Sequence, residues 1–333
     1  MRRVEQKAIT LLFICLAGIY ANGQKIPKGG EIKMPAGYMP LAIENSIELQ
    51  TILNDSIAKV LNAFPARGFK VDDIAATLID VRDPSQLRWA NFSGERQIYP
   101  ASVVKMFYMT ALERQLEDGK LKLTPELERG LRDMIVDSSN EATQYILDVL
   151  TDTSSGAEIP QKEFEKWQFK RNRVNRFFTA MGYQNINVNQ KTFCEDAYGI
   201  EQQSRAYKGQ NRNMLTTNAV ARLLAEIVLG KMNTPERTAK MMELMRRDPF
   251  SADGGPEDQA HAFTGRLFIE RKMTSAKLWS KAGSTNRSWH DAVYIEMPNG
   301  LKFVIVIFTE NHANDKNVIP SIVGNIIDQL SRN

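Results

Sequence analysis

A serine and a lysine three residues apart form the strongest chemical signal in the sequence. They occur in Ser102-Val-Val-Lys105, directly after Pro100-Ala101. Because proline favours the first turn of a helix, this spacing predicts both side chains on one face of a helix N-terminus. A lysine that accepts the serine proton activates a weak nucleophile, and the helix N-terminus favours a neutral lysine. The pair therefore predicts acyl chemistry at Ser102.

The same spacing occurs a second time and shows how weak the motif is alone. Ser56-Ile-Ala-Lys59 lies in the middle of the helical periodicity of residues 44–63. A surface serine and lysine are the plainer interpretation there. The second match also precedes every predicted strand, so it has no partner motifs in the order that catalysis would need.

Two further motifs follow only the first match. They are Ser138-Ser139-Asn140, between two predicted helices, and Lys281-Ala282-Gly283, at the end of a predicted strand. The patterns S-x-x-K, S-D-N and K-T-G, in this order, are the signature of class A β-lactamases and penicillin-binding proteins. From about residue 45 to 331, the chain therefore resembles a class A β-lactamase-like serine hydrolase.

The resemblance implies three catalytic roles. Ser102 is the residue that substrate acylates, and Lys105 acts as its base or assists it. Ser138 relays a proton to the leaving nitrogen. These are the nucleophile, the base and the leaving-group acid that acyl transfer requires.

The resemblance also implies a substrate-binding set. Asn140 helps to hold substrate and Lys105, while Lys281 supplies positive charge for a substrate carboxylate and for Ser138. The backbone N–H groups of Ser102 and Ser284 would form the oxyanion hole. Gly283 belongs to the same set. Arg287 is a further binding candidate, suggested by its position just past the Lys281 strand rather than by the resemblance. Arg287 is a candidate carboxylate clamp, with an exposed turn arginine as the alternative.

The motifs depart from the family pattern in two places. Ser139 stands where aspartate is usual, and Ala282 stands where threonine or serine is usual. The second change removes a hydroxyl near the expected substrate carboxylate, for which Ser284 offers a partial replacement. The shape of the substrate is therefore left open.

The largest departure concerns release of the acyl group. Class A β-lactamases carry a glutamate in an E-x-x-L-N motif after the helical lobe, and this sequence has no such motif. Glu195, in Phe193-Cys-Glu-Asp196, is the nearest acidic candidate for a hydrolytic base, with a solvated loop carboxylate as the alternative. Without a positioned base, the acyl-enzyme would be long-lived.

Three functional hypotheses follow. The first is an exported serine hydrolase that hydrolyses β-lactams through acyl-Ser102. The second is a penicillin-binding D,D-peptidase or esterase that acts on peptidoglycan peptides or esters with weak β-lactam turnover. The third is a non-catalytic binding protein with the same fold.

The predicted elements indicate an α/β (α+β) fold of the β-lactamase/transpeptidase-like kind. An antiparallel sheet of about five strands, built from both ends of the chain, is flanked by terminal helices and joined to a helical lobe. The sheet lobe comprises residues 45–100 and 262–331, and the helical lobe residues 101–261. In the helical lobe, residues 161–181, 217–230 and 235–247 are predicted to be helices, and residues 183–213 to be irregular. The predicted strands are 74–81, 87–92, 276–281, 290–297 and 301–309, the last two joined by the hairpin signal Pro298-Asn-Gly300.

The N-terminus predicts export. Arg2, Arg3 and Lys7 precede an apolar run from Ala8 to Tyr20, which is typical of a signal peptide over residues 1–23 and too short for a membrane span. Lipidation at Cys15 is the minor alternative. Residues 24–44, rich in glycine, proline and lysine, predict an extended and poorly packed arm. The expected location is the periplasm or the extracellular space.

Composition excludes several other classes. The chain of 333 residues has a formal charge of +4, and two of these charges belong to residues 1–23, so a nucleic acid partner is not indicated. His261 and His290 lack paired ligand spacing, so we expect no metal and no cofactor. Lys170, Arg171, Arg173 and Arg176 predict a solvated basic helix face. A monomer that binds a small β-lactam or a peptidoglycan peptide is expected.

Overall fold

The computed structural model describes residues 30–63 and 68–332. The predicted signal peptide and residues 24–29 of the predicted arm lie outside the described residues. The strands are β1 (Ile43–Asn45), β2 (Ile74–Asp80), β3 (Leu87–Phe92), β4 (Arg246–Arg247), β5 (Lys277–Ser284), β6 (Ser288–Glu296) and β7 (Lys302–Glu310).

The α-helices surround this sheet. They are α1 (Ile47–Ala63), α2 (Lys105–Glu117), α3 (Pro125–Ile135), α4 (Asn140–Thr151), α5 (Gln161–Arg171), α6 (Arg173–Ala180), α7 (Ile200–Arg205), α8 (Thr217–Val228), α9 (Pro235–Met245), α10 (Phe263–Glu270) and α11 (Val318–Leu330). Short 3₁₀ turns occupy Val71–Asp73 and Ala101–Val104. No helix among the described residues is long and apolar enough to cross a membrane.

The strands form one mixed sheet in the order β1-β3-β2-β7-β6-β5-β4. The five predicted strands are confirmed as β2, β3, β5, β6 and β7, which pair antiparallel. Two strands were missed, so the sheet has seven strands rather than about five. β1 pairs parallel to β3, and the two-residue β4 pairs antiparallel to β5. Both are too short to show the alternation by which a strand is recognised in sequence.

Both faces of the sheet are buried, because its central strands alternate between two hydrophobic clusters. In β2, Ile74, Ala76 and Leu78 pack with α1, α10 and α11, while Ala75 and Ile79 face the helical lobe. This arrangement follows from the period of two along a strand. Each large aliphatic side chain buried in this way contributes about 1.5–3 kcal/mol. The strand therefore reads as a continuous apolar run.

Helix boundaries differ from the predictions in the middle of the chain. The single helix predicted for residues 161–181 is divided at Asn172 into α5 and α6. α7 lies inside a stretch predicted to be irregular, and α10 was not predicted. The helix predicted to reach Arg247 ends at Met245, because Arg246 and Arg247 leave it to pair with β5.

The described part of the predicted arm is packed against the body. Ile32 is buried, and Arg176 forms a 2.6 Å ion pair with Glu31. The hydroxyl of Tyr38 donates a 2.7 Å hydrogen bond to Glu226 of α8. Residues 30–42 contain no helix or strand, and these contacts correct the prediction of poor packing. Residues from Glu31 onward form one compact unit.

Candidate active site

Ser102 lies on the 3₁₀ turn that leads into α2, rather than in the first turn of the α-helix as predicted. The preceding residue, Ala101, has a φ of 47°, a conformation that costs energy for any residue with a Cβ. Ser102 is partly exposed, whereas its neighbours Ala101 and Val103 are buried. The 3₁₀ turn thus leaves Ser102 partly accessible to solvent between two buried residues.

His290 fixes the chain just before this turn. Its Nδ1 accepts a 3.1 Å hydrogen bond from the backbone N–H of Thr309, so Nε2 carries the proton and donates it to the carbonyl of Tyr99 at 3.0 Å. Burial lowers the pKa of His290 to about 4, which keeps the ring neutral. His290 lies on β6, which contains most of the strand predicted for residues 290–297, and its hydrogen bond to Tyr99 anchors the serine turn.

Gly283 brings the end of β5 against the same turn. A Cβ added at Gly283 would lie 2.7 Å from the carbonyl oxygen of Pro100 and 2.8 Å from the backbone nitrogen of Ser102. Both atoms belong to the backbone and have no rotamer by which to move away. The glycine of the third motif is therefore required by the close approach of two backbones.

Lys105 is fully buried one turn after Ser102. Its Nζ donates hydrogen bonds to Ser138 O at 2.5 Å, to Asn140 Oδ1 at 2.9 Å and to Ser138 Oγ at 3.3 Å. Burial lowers the pKa of Lys105 to about 7, and the electrostatic effects of Glu141 and Cys194 oppose this shift. A lysine in this state can accept a proton near neutral pH.

This pKa predicts how the acylation expected at Ser102 should depend on pH. Only the neutral amine of Lys105 can take the Ser102 proton, so the acylation rate should rise with pH through an apparent pKa of about 7. Below it, the rate should fall by about tenfold per pH unit. The measurement is the second-order rate of labelling by a fluorescent penicillin, with protein stability monitored over the same range. A flat profile between about pH 5 and 8 would contradict this role.

Ser138 lies between the two lysines of the site. Its Oγ is 3.3 Å from Lys105 Nζ and 3.0 Å from Lys281 Nζ. Ser138 has a φ of 57°, so the loop is turned sharply at this residue. The next residue, Ser139, caps α4 by accepting a 3.0 Å hydrogen bond from the Ala142 N–H. Serine in place of aspartate therefore still makes a good helix N-cap.

Lys281 is fully buried, and its ammonium hydrogens meet three oxygens. The acceptors are Ser138 Oγ at 3.0 Å, Ala282 O at 2.8 Å and Gln259 Oε1 at 2.6 Å. Burial holds the pKa of Lys281 well below its ordinary value, and the positive charge of Lys105 acts in the same direction. None of the three acceptors is a carboxylate.

Two residues that sequence reasoning missed hold this region together. Arg247 is buried and donates to the carbonyls of Ile135 and Ser280 at 3.1 and 2.9 Å. Gln259 connects the Lys281 strand to the end of α3 through its amide. Neither had a signal in the sequence, because Arg247 follows a helix and Gln259 lies in an aperiodic loop rich in glycine and acidic residues.

A cleft of about 610 Å³ opens at Ser102 and Ser138. Its lining includes Ser102, Ser138, Ala282, Gly283 and Ser284, together with Arg246, Arg247 and residues of the loop after β4. Arg287 does not line this cleft. It is exposed on the β5–β6 turn and donates a 2.6 Å hydrogen bond to Asn311 Oδ1. The geometry therefore favours the alternative interpretation of Arg287 as a turn residue.

The segment expected to supply a hydrolytic base presents a thiol instead. Asn140 Nδ2 lies 3.4 Å from the Sγ of Cys194, which is free and exposed. The neighbouring Glu195 is exposed and does not line the cleft. Of the candidate site residues, the structure assembles Ser102, Lys105, Ser138, Asn140, Lys281, Gly283 and Ser284, but not Glu195 or Arg287.

A cluster of four charged residues, three of them buried, anchors this segment. Arg171 is fully buried and donates to Glu201 at 2.8 Å and to Asp148 at 3.0 Å. Lys191 Nζ lies 2.6 Å from Asp148. Because removing one partner leaves an uncompensated buried charge, such clusters hold their segments firmly. The prediction of a solvated basic face is therefore wrong at Arg171.

The second serine-lysine match is not a site. Ser56 is fully buried, and its hydroxyl donates a 2.7 Å hydrogen bond to the carbonyl of Ile52 within α1. Lys59 is exposed. Substrate has no access to the serine, so the expectation that Ser56 is non-catalytic fits, although the residue is buried rather than on the surface. In residues 30–63 and 68–332, no group of three or more His, Cys, Asp or Glu side chains is placed to hold a metal ion.

Comparison with protein families gives one match over most of the chain. A family model described as the beta-lactamase enzyme family matches residues 53–330. No curated protein sequence matches the chain significantly. The matched range contains all three motifs.

Solved structures share the fold at low identity. A beta-lactamase from Sphaerobacter thermophilus DSM 20745 is 19% identical, with 84% of this chain and 95% of that chain covered and a TM-score of 0.59. A beta-lactamase from Chitinophaga pinensis DSM 2588 is 17% identical, covering 84% and 99%, with a TM-score of 0.58. A mutant of PBP-A, in an acyl-enzyme complex with penicillin G, is 16% identical, covering 89% and 100%, with a TM-score of 0.59.

Proposed function

Because the chain belongs to the beta-lactamase enzyme family, we propose that it is a serine hydrolase that β-lactams acylate at Ser102, with β-lactam hydrolysis as its reaction. The observation that carries the proposal is the position of Ser138 Oγ, within 3.3 Å of Lys105 Nζ and 3.0 Å of Lys281 Nζ. A hydroxyl between two buried amines beside a partly exposed serine is suited to proton transfer and of little use to a binding protein.

The proposed acylation gives each of these groups a role. The oxygen of Ser102 bonds to the lactam carbonyl carbon while neutral Lys105 takes the hydroxyl proton. The carbonyl oxygen becomes negatively charged, and the backbone N–H groups of Ser102 and Ser284 stabilise it. The C–N bond then breaks, the leaving nitrogen receives a proton from Ser138, and Lys105 returns a proton to Ser138. Lys281 provides the positive charge for the substrate carboxylate.

A penicillin-binding D,D-peptidase or esterase with slow release is the second candidate, and one observation favours it. Asn140, which accepts a hydrogen bond from Lys105, contacts the thiol of Cys194. Cys194 lies in the segment that corresponds to the one in which a β-lactamase carries its hydrolytic glutamate. A thiol is a poor base for water at neutral pH. The mutant PBP-A in its penicillin G acyl-enzyme complex shows that a protein of this fold is acylated by a β-lactam.

One experiment separates these candidates. The protein is mixed with a small excess of a penicillin, and both β-lactam absorbance and intact protein mass are followed over time. Rapid turnover supports hydrolysis, while a persistent adduct supports the penicillin-binding candidate. Absence of both turnover and adduct, with penicillins and with ester or D,D-peptide donors, would contradict both and leave a non-catalytic binding protein.

Glu195 provides a sharp test of deacylation. Because its side chain is exposed and outside the cleft, Glu195→Gln should leave the rate of acyl release within about twofold of wild type, as expected for a surface substitution. Glu141→Gln is the matched comparison, since the Glu141 carboxylate acts on the pKa of Lys105. The measurement is the decay of the acyl-enzyme mass after removal of free penicillin. A tenfold slower decay in Glu195→Gln would restore Glu195 as the hydrolytic base.

Export to the periplasm or the extracellular space is part of the proposal. The support is the basic, apolar and small-residue order of residues 1–23. Expression of the full chain in a bacterial host, followed by fractionation and N-terminal sequencing, should give an exported form that begins at Gln24. A cytoplasmic protein that retains Met1 would contradict it.

A further inference from the structure

The loop between β4 and α10 places a glutamine amide in the middle of the candidate site. Gln259 Nε2 donates to the carbonyls of Ile135 and Val136 at 3.0 and 2.9 Å. Its Oε1 accepts from Lys281 Nζ at 2.6 Å and from the Ala282 backbone N–H at 3.0 Å. One side chain thus connects the segment that leads to Ser138 with the strand that carries Lys281.

The chemistry of the partners fixes the orientation of this amide. Both groups that contact Oε1 are donors, and both that contact Nε2 are carbonyl acceptors. A flipped amide would place two donors against donors and an acceptor against two carbonyls. All four hydrogen-bonding positions of the amide are used, and the residue is only 9% exposed. Gln259 therefore has one stable arrangement.

This arrangement determines where the Lys281 ammonium can lie. The oxygen of Gln259 is its shortest contact, and the remaining hydrogen bonds go to Ala282 O and to Ser138 Oγ. Without the Gln259 oxygen, a buried N–H of Lys281 and the N–H of Ala282 would both lose their acceptor. Because an unpaired buried donor is destabilising, the lysine would move toward other oxygens and away from Ser138.

We propose that Gln259 is a positioning residue for acylation, which holds Lys281 against Ser138 and keeps the Lys281 strand in register with the Ser138 loop. The inference rests on the function proposed above. Gln259 acts through Lys281 and Ser138 rather than on substrate. Gln259 also fixes the backbone of β5 at Ala282, the middle residue of the Lys281-Ala282-Gly283 motif. The Ala282 N–H donates to the Gln259 oxygen, so no side chain at this position is needed to fix the strand.

The charged groups around Lys281 come from three elements. Lys105 of α2 and Arg247 of β4 lower its pKa, and Asp291 of β6 opposes them. The amide of Gln259 is neutral and adds an acceptor without cancelling the positive charge. A glutamate at the same position would keep the oxygen but add a negative charge, and a methionine would keep the volume but lose the acceptor. The two substitutions should therefore shift the titration of Lys281 in opposite directions.

The first readout does not depend on substrate. In protein labelled with [¹³C]lysine, the ¹³Cε signal of Lys281 is assigned by its loss in Lys281→Arg and followed against pH. Gln259→Glu should raise the titration midpoint of Lys281 by at least about one pH unit, as expected beside a carboxylate. Gln259→Met should lower it. Gln115→Glu and Gln115→Met are matched controls, because Gln115 is a buried glutamine that donates to the carbonyl of Leu150 away from Lys281.

The second readout is the rate of labelling by a fluorescent penicillin. Gln259→Met should lower it by at least about tenfold through misplacement of Lys281, whereas Gln115→Met should leave it unchanged at a comparable loss of thermal stability. If only one Gln259 variant folds, that variant suffices, since each has its own predicted direction. An unchanged Lys281 midpoint in the folded variants would overturn the proposal. If wild type is labelled by no β-lactam, the proposed function fails while the titration still decides the role of Gln259.

Discussion

Replacing Lys105 by methionine is expected to lower the rate of acylation by about 10²–10⁴-fold, the usual contribution of a general base. Methionine is close to lysine in length and suits the buried position, so the fold should be retained. The substitution removes the only amine that hydrogen-bonds both Asn140 Oδ1 and Ser138 O within the described residues. The measurement is the second-order rate of labelling by a fluorescent penicillin, with circular dichroism to check folding.

The second serine-lysine match, Ser56-Ile-Ala-Lys59, supplies the control for this substitution. Lys59 has the same spacing from Ser56 as Lys105 has from Ser102, but it is exposed on α1. Lys59→Met should therefore leave the labelling rate unchanged. A folded Lys105→Met protein that is labelled at the wild-type rate would remove Lys105 from the mechanism.

Gly283→Ala is expected to reduce acylation by at least about 10²-fold, because a displacement of about 1 Å at reacting groups has an effect of this size. The added Cβ would lie 2.7 Å from Pro100 O, 2.8 Å from Ser102 N and 3.0 Å from Val103 N. Since these are backbone atoms, either the end of β5 or the serine turn must move. The measurement is again the rate of labelling, together with the melting temperature.

Gly156→Ala is the matched control for Gly283→Ala. A Cβ at Gly156 would meet nothing within 4 Å, and its φ lies outside the range that favours glycine. The control should retain the wild-type labelling rate. If Gly283→Ala is labelled as fast as the control, the close packing of the β5 end on the serine turn does not govern the position of the nucleophile.

The chemistry of the site could be predicted from sequence because its residues occur in short local motifs. Ser102 and Lys105 are one helical turn apart, and Ser138 and Asn140 flank a helix start. The order of the predicted elements, with two strands before a helical middle and three strands after it, was sufficient to predict the sheet and the helical lobe. The five longer strands were predicted because each spans at least six residues and turn residues separate them.

The contacts that hold those residues in place could not be predicted in the same way. Gln259 reaches Lys281 from a loop without periodicity, and His290 reaches the carbonyl of Tyr99 from a distant strand. Arg171 looked like part of a basic surface because its acidic partner, Glu201, lies thirty residues away along the chain. Pairings between distant residues leave no pattern in a single sequence. The base of the hydrolytic step could not be predicted either, because no local motif in the sequence marks it.

The most direct test of the account is to locate the acyl group. After incubation with penicillin G and tryptic digestion, mass spectrometry should find the peptide Gln97–Lys105, in which Ser102 is the single serine, heavier by one penicillin molecule. The adduct should be absent from Ser102→Ala and present in Ser56→Ala, the matched change in the second serine-lysine match. An adduct on another peptide, or an adduct that persists in Ser102→Ala, would contradict the assignment of Ser102 as the nucleophile.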